Sequence, residues 1–395
     1  MGGPLEGVTV LDLTRVLAGP FCTMLLSDMG AEVIKVEIPG RGDDSRHFGP
    51  FKEGESGYYI FLNRGKKSMT LNLKHPKGVN VFKKLVAKAD VVVENFKPGV
   101  ADKLGIGYSV LSGIDPSIIF ASISGFGQYG PLSAKPAYDL VAQAMGGIMS
   151  ITGFPDNPPT RVGSSLGDIS AGLFAAFGIV SALYKRKETG KGQHIDVAMV
   201  DSVFSFLESN VMRYTMGNEV PTRVGSRHPL SSPFDIYRAG DGYVVIAIAN
   251  DQLFERFCNT VGFAGLDKDP RFATDQMRNR YQEELKELIE CWSKNYTVDE
   301  IVSLLDEASV PSSPVLDIEQ ICNAPHIKAR NMLLEVNHPV SGKVKIPGNP
   351  VKLSDTPIII EKTAPLLGEH NSEILTSLLG LTGEEVNGLQ LDGVI

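Results

Sequence analysis

Cysteine is scarce in this chain of 395 residues: Cys22, Cys258, Cys291 and Cys322 are scattered, with no CxxC spacing. That pattern signals neither a zinc site nor a disulfide framework, and reduced intracellular thiols are the reading that remains. A basic excess is also missing, since 38 Lys and Arg stand against 46 Asp and Glu for a formal net charge of -8. An extended nucleic-acid surface normally shows the opposite balance. The seven histidines, His47, His75, His194, His228, His326, His338 and His370, form no HxH, HExxH or Cys/His cluster, so no metal centre is signalled. There is no internal repeat, heptad run or low-complexity tract.

A signal peptide is not legible either. Glu6, Asp12 and Arg15 precede any apolar run of the required length, and nothing there resembles an Arg- and Ser-rich transit sequence. A cytoplasmic protein is the expectation, although a chain already trimmed of a transit peptide would read the same way. The long uncharged stretch Ile169 to Tyr184 would span as a helix only about 24 Å, against about 30 Å of hydrocarbon. A buried core helix is expected there, with Lys185, Arg186 and Lys187 at the negative end of its dipole.

What is present reads as an ordinary globular protein, with 43% hydrophobic and 21% charged residues. The length calls for two domains. The first half alternates strands and helices: strand Val8 to Leu13, helix Pro20 to Met29, strand Glu32 to Val36, strand Ser68 to Leu73, helix Lys77 to Ala89, strand Asp90 to Phe96 and strand Ile118 to Ser124. Such alternation implies an α/β fold, a doubly wound parallel sheet with its sites at the carboxyl ends of the strands. Helices are expected over Tyr138 to Ser150, Asp168 to Tyr184 and Val200 to Tyr214. The turn-rich stretch Gly217 to Ser232 opens a second domain, with a strand pair at Phe234 to Tyr237 and Tyr243 to Ala247 and three helices up to Ala308. After Lys343 the tail alternates short strands with prolines and ends in a helix near Asn371 to Leu379.

The first strand runs into Thr14-Arg15-Val16-Leu17-Ala18-Gly19-Pro20, where a dinucleotide-binding protein would carry GxGxxG. One glycine stands there instead of three, so the close backbone approach to a pyrophosphate of NAD loses its support. Asp168 stands immediately before the apolar helix, where Asp is a favoured N-cap; a helix N-terminus also favours an ionised carboxylate, and such a group in a dry pocket is a competent nucleophile. Lys66, Lys67, Lys74, Lys97 and Lys103 recur near sheet ends, where solvated surface lysines are the plain reading and phosphate contacts the functional one. Ser124-Gly125-Phe126-Gly127-Gln128 is not GxSxG, so no nucleophile elbow is claimed.

Several blocks taken together resemble a known family. Leu11-Asp12-Leu13-Thr14-Arg15-Val16-Leu17-Ala18-Gly19-Pro20 and Gly30-Ala31-Glu32-Val33-Ile34-Lys35-Val36-Glu37 are similar to the N-terminal signature of class III coenzyme A transferases, the family of formyl-CoA transferase, the carnitine CoA-transferases and succinate-hydroxymethylglutarate CoA-transferase. Gly42 to Arg46, Asn63 to Ser68, Val93 to Gly99, Gly125 to Pro131 and Ala364 to His370 resemble further blocks, so the likeness covers almost the whole chain. It implies a Rossmann-like large domain from residues 1–216 and 331–395, a smaller α+β domain inserted at 217–330, and an interlocked homodimer. It implies Asp168 as the catalytic aspartate. It places coenzyme A contacts on Leu17 and Ala18, on Leu71, Asn72, Leu73 and Lys74, on Asn95, Phe96 and Lys97, on Lys103, and on Ala137, Tyr138 and Asp139. No metal or cofactor is implied beyond the CoA thioester itself as substrate, and neither nucleic acid nor membrane is implied as a partner. The chain departs from relatives at Ile38, where some carry arginine, and at Ala247 to Gln252, where formyl-CoA transferase has a glycine-rich loop.

The reaction so implied moves CoA from an acyl-CoA to a carboxylic acid through an aspartyl intermediate. A short dicarboxylate such as succinate is the favoured acid, because Gly42 to Arg46 resembles the succinate-hydroxymethylglutarate enzyme. The enzyme alternative is an α-methylacyl-CoA racemase, whose relatives carry Gly-His-Asp where this chain has Ala137-Tyr138-Asp139; a phenol of ordinary pKa near 10 is a poor base at neutral pH. The alternative from another class is a CoA-binding protein without catalysis.

Overall fold

The computed structural model describes residues 2–395. The chain forms two compact units, one of Met1–Ile148, Arg161–Met212 and His326–Ile395, the other of Met149–Thr160 and Arg213–Pro325.

In the first unit, β1 (Thr9–Asp12), β2 (Glu32–Glu37), β3 (Lys67–Thr70), β4 (Val91–Glu94), β5 (Ile119–Ser124) and β6 (His194–Ala198) build one sheet. Every pairing is parallel, and the order is β3-β2-β1-β4-β5-β6. Parallel strands covered on both faces read as continuous apolar runs, and Val91, Val92 and Val93 are each 0% exposed. The helices are α1 (Ala18–Asp28), α2 (Pro76–Val86), α3 (Tyr108–Ile114), α4 (Asp139–Met145), α5 (Leu166–Thr189) and α6 (Met199–Ser205). Pro76 begins α2 where its missing N–H costs nothing, and Val81, Phe82 and Leu85 turn to the sheet. On the other face α1 and α5 cover Val10, Val33, Val91, Val93 and Ile119.

The second unit has an antiparallel sheet of β7 (Phe234–Arg238), β8 (Tyr243–Ala247) and β9 (Ser312–Pro314). Its helices α7 (Asp251–Val261), α8 (Gln282–Ser293) and α9 (Val298–Glu307) bury Phe254, Phe257, Leu285, Ile289, Ile301 and Leu305 on that sheet. Arg278 is fully buried there, donating to the Ser232 and Phe272 carbonyls and pairing with Asp251 at 2.9 Å. The chain returns to the first unit with a hairpin, β10 (Leu333–His338) and β11 (Gly342–Pro347), and with α10 (Asn371–Leu379) and α11 (Gly383–Leu391). Ile374, Leu375, Val386 and Val394 complete the core on the α2 face.

Some elements differ from the sequence reading. The helix expected over Tyr138 to Ser150 stops at Met145, where Gly146 and Gly147 follow, the latter at φ 91. The single helix expected over Val200 to Tyr214 is two, because α6 ends at Ser205 and the next begins at Ser209. Strand β6 and helix α11 were not expected. Both left local signals, the polar and apolar alternation of His194-Ile195-Asp196-Val197 and the capping box of Thr382 with Glu385.

The apolar helix also needs correcting. With 24 residues α5 is about 36 Å long, so the argument that it is too short for a bilayer does not hold. It is the one helix among the described residues long and apolar enough to cross a membrane. Its packing is that of a core helix, since Ala171, Ala175, Ala176, Ile179, Ala182 and Leu183 are buried in the unit.

Candidate active site

The strand order reverses between β1 and β4, and a doubly wound sheet opens a crevice at that place, beyond the carboxyl ends of its strands. A cavity of about 380 Å3 lies there, lined by Arg15 to Ala18 after β1, Asn95 to Pro98 after β4, Ser124 and Gly125 at the end of β5, Lys135 to Tyr138, Asp168 and Met199.

A buried ionic network beneath holds the first of these loops. Asp12, closing β1, pairs with Lys66 at 2.9 Å, and both side chains are 0% exposed. Lys66 also donates to the Pro20 carbonyl, Thr23 Oγ1 and Asn63 Oδ1. Burial alone would raise the Asp12 pKa, but Lys66, Lys35 and the Thr14 and Thr23 hydroxyls outweigh it and hold the carboxyl well below the usual range. Burial acts on Lys66 in the other sense and brings its ammonium down to about 8, against the pull of Asp12. Lys35 donates to the Thr14 carbonyl and pairs with Asp43 at 2.8 Å, and Asp43 Oδ1 accepts the N–H of Val16. That bond matters because Val16 is β-branched and sits at φ 68, a conformation that persists only where its surroundings impose it. From the other side Arg15 N–H donates to Asn95 Oδ1 at 2.9 Å, and Asn95 Nδ2 donates back to the Arg15 carbonyl at 2.8 Å.

Asp168 enters from α5. It is not the N-cap that the sequence indicated: the helix begins two residues earlier, after Ser165, and Asp168 is its third residue. The residue that acts as a cap comes from another segment, since the buried Asp139 accepts the Gly167 N–H at Oδ1 and the Gln143 amide at Oδ2. Among the described residues, none donates a hydrogen bond to the Asp168 carboxylate; burial first, and then the charge of Asp139, push its pKa up to about 7. Tyr58 lies close enough that burial and then Asp168 push its phenol up to about 12. Gly172 allows the two helices to meet, because a Cβ there would stand 2.5 Å from the Ala18 carbonyl oxygen. The start of α1 therefore packs on α5 one turn beyond Asp168. Gly125 likewise admits Ala137, whose Cβ would lie 2.4 Å from a Cβ at that position.

Of the residues marked from sequence, Leu17, Ala18, Asn95, Phe96, Lys97, Ala137, Tyr138 and Asp168 line this cavity. Asp139 stands behind Asp168 at 7% exposure. Leu71, Asn72, Leu73, Lys74 and Lys103 do not line it. Leu71 is buried in the core; Asn72 N–H donates to the Val394 carbonyl, and its Oδ1 accepts the Lys74 N–H. Lys103 ends a short helix, Val100–Lys103. The structure adds Lys135 at the cavity, Tyr58 within the electrostatic reach of Asp168, and Asp12, Lys35, Asp43 and Lys66 under the first loop. The last group was detectable as charges set in or beside apolar strand runs, as in Val33-Ile34-Lys35-Val36, where burial demands a partner. Lys66, read as a surface lysine, is buried.

A half-buried carboxylate in the first turn of α5, accepting no hydrogen bond among the described residues and lining one cavity with Arg15, Lys97 and Lys135, can attack an acyl group, and donors and cations at that cavity can oppose the charge of the oxyanion that results. Comparisons with known proteins agree in kind. A family model described as CoA-transferase family III matches residues 5–371. The chain is 47% identical over 353 residues to the acetyl-CoA:oxalate CoA-transferase of Acetobacter aceti, covering 89% of this chain and 90% of that protein. It is 42% identical over 394 residues to the succinyl-CoA–D-citramalate CoA-transferase of Chloroflexus aurantiacus, covering 99% and 98%. Among solved structures, a CAIB/BAIF family protein from Brucella suis matches with a TM-score of 0.86 at 38% identity, covering 96% of this chain and 100% of that one.

Proposed function

The chain belongs to CoA-transferase family III, and is thus an enzyme that moves CoA between an acyl-CoA and a carboxylic acid; from that premise we propose that Asp168 carries the acyl group. The observation that supports this is the Asp168 carboxylate itself, at the cavity, with no hydrogen bond among the described residues to satisfy it. An oxygen of Asp168 attacks the donor thioester carbonyl, and the tetrahedral oxyanion collapses to a mixed anhydride with loss of CoA thiolate. The thiolate returns to the aspartyl carbonyl, giving an aspartyl-CoA thioester and freeing the donor acid. The acceptor acid then runs the same steps in reverse. Backbone N–H groups at the N-termini of α1 and α5 oppose the oxyanion charge.

The acid is proposed to be a short dicarboxylate. Arg15, Lys97 and Lys135 bring positive charge to the cavity, and the relatives' names carry oxalate and D-citramalate. Tyr138 occupies the place of the racemase histidine and is 80% exposed, which leaves α-proton transfer without a base at that position. One experiment addresses both readings: a panel of acids with succinyl-CoA and acetyl-CoA in deuterium oxide, followed by mass spectrometry. Acid-dependent formation of new CoA esters without α-deuterium is expected. Deuterium uptake into a 2-methylacyl-CoA with no acid present would overturn the transferase reading.

A homodimer, interlocked as in the resemblance, is also proposed. Its support is a ladder of apolar side chains on the outer face of α5, Leu173, Phe177, Val180 and Tyr184, of which Phe177 is 72% and Tyr184 70% exposed. Sedimentation on serial dilution should show dimers that do not release folded monomers, and a reversible monomer–dimer equilibrium would contradict the interlocking.

A further inference from the structure

Glu94 is a buried carboxylate that the transfer chemistry does not use. It closes β4 at 3% exposure, and its Oε2 accepts the N–H of Phe96, two residues on, at 2.6 Å. The hydroxyl of Ser122, which faces Glu94 in register on β5, bonds to the same carboxylate, and Ser122 Oγ lies 2.9 Å from His194 Nε2 on β6. Burial pushes the Glu94 carboxyl up, to about 7, against these two hydrogen bonds, and Asp102 and Asp196 push the same way. For stability alone an apolar residue would serve this end of the strand as well as a destabilised carboxylate does. What the carboxylate supplies is a hold on the next turn.

That turn, Asn95 to Pro98, forms one wall of the cavity. Its first residue, Asn95, is hydrogen-bonded in both directions to the backbone of Arg15, whose loop forms the adjoining wall. One carboxylate outside the cavity thus anchors two of its walls, one of them carrying Val16 at φ 68. Asp168 comes from α5, where Asp139 holds the Gly167 N–H, so its placement does not depend on this anchor. We propose that Glu94 is a positioning residue for acyl-CoA binding, holding the Asn95–Pro98 turn and, through Asn95, the Arg15–Ala18 loop in the shape that receives the CoA moiety. The proposal rests on the reading that this cavity takes acyl-CoA.

The test compares Glu94→Ala with Glu94→Gln. Glutamine keeps an oxygen for the Phe96 N–H, and its amide can donate to Ser122, whose hydrogen then turns to His194. Glu94→Ala is expected to raise the Kd for free CoA and the KM for the acyl-CoA about tenfold, with kcat within about twofold of wild type and KM for the acid unchanged; Glu94→Gln should restore both constants. A merely structural role would lower the amount of active enzyme and leave KM alone. Unchanged KM in a folded Glu94→Ala, a fall in kcat alone, or a Glu94→Gln as impaired as the alanine variant would each overturn the proposal. Should Glu94→Ala not fold, Ser122→Ala removes one of the bonds that hold the carboxylate and should raise KM about threefold; no change there overturns it equally. Lys97→Ala serves as the control on the cavity. If Lys97→Ala leaves CoA binding untouched, the assignment of the cavity fails; if it weakens binding and Glu94→Ala does not, only the positioning role fails.

Discussion

Asp168→Ala is expected to lower CoA transfer by about a thousandfold or more while the protein remains folded and still binds CoA. The proposed covalent route needs the carboxylate oxygen, and among the described residues the other carboxylate that lines the cavity is Asp44, which is tied to Arg15 and Arg41. Stability should not suffer, because Asp168 is not the cap of α5 and accepts no protein hydrogen bond among the described residues. The pH dependence has a definite sign. The carboxyl is raised from 3.8 to about 7 in the folded chain, so the folded state binds its proton more tightly than the unfolded state. The stability this contributes is fully present below about pH 4 and is lost as pH rises through about 7. At about pH 8 the alanine variant should therefore melt no lower than wild type, whereas near pH 4 it loses whatever advantage it had. In wild type, kcat/KM should climb with pH through about 7 as the nucleophile ionises. Steady-state assays across pH, with thermal melts of both proteins, check these outcomes together. Turnover by the variant at a near wild-type rate would sink the assignment of Asp168.

Lys66→Met is expected to destabilise the first unit by about 3 to 5 kcal/mol in urea unfolding. Its ammonium is 0% exposed and gives up four bonds on removal, to Asp12, the Pro20 carbonyl, Thr23 and Asn63. The larger part of the loss is the Asp12 carboxylate, left buried with Lys35, the Thr14 N–H and two hydroxyls to oppose its charge. Replacing both partners removes that stranded charge, so Lys66→Met combined with Asp12→Leu should recover much of the stability. Because Asp12 and Lys66 sit under the Thr14 to Ala18 loop, the double variant is expected to keep its fold and still lose CoA affinity. A loss below about 1 kcal/mol in the single variant would show that the pair does not carry the load described.

Much of the first unit was legible because its signals are local. Three consecutive valines before Glu94, the apolar stripe of α2 and Pro76 at its start are properties of a few neighbouring residues. The missing glycines after β1 were equally plain, and they remove the close backbone approach a dinucleotide needs although the strand order is the one dinucleotide-binding sheets use. The start of α5 was not legible. Asp168 has the residue type of a cap, but the N–H that needed capping, that of Gly167, found Asp139, 28 residues earlier in the chain. Lys66 looked like any surface lysine because its partner Asp12 is 54 residues away.

The alternation of strands and helices and the parallel sheet it implies were thus determined by the sequence alone, since period and propensity reside within short stretches, and the resemblance of short motifs singled out Asp168 as the carboxylate to test. Which lysine is buried, which carboxylate stays free, and which turns close around the cavity were decided only by the tertiary structure. Burial and the partner of a charge depend on segments far apart in the chain, and a carboxylate becomes a cap, an ion-pair partner or a nucleophile according to what those segments bring against it.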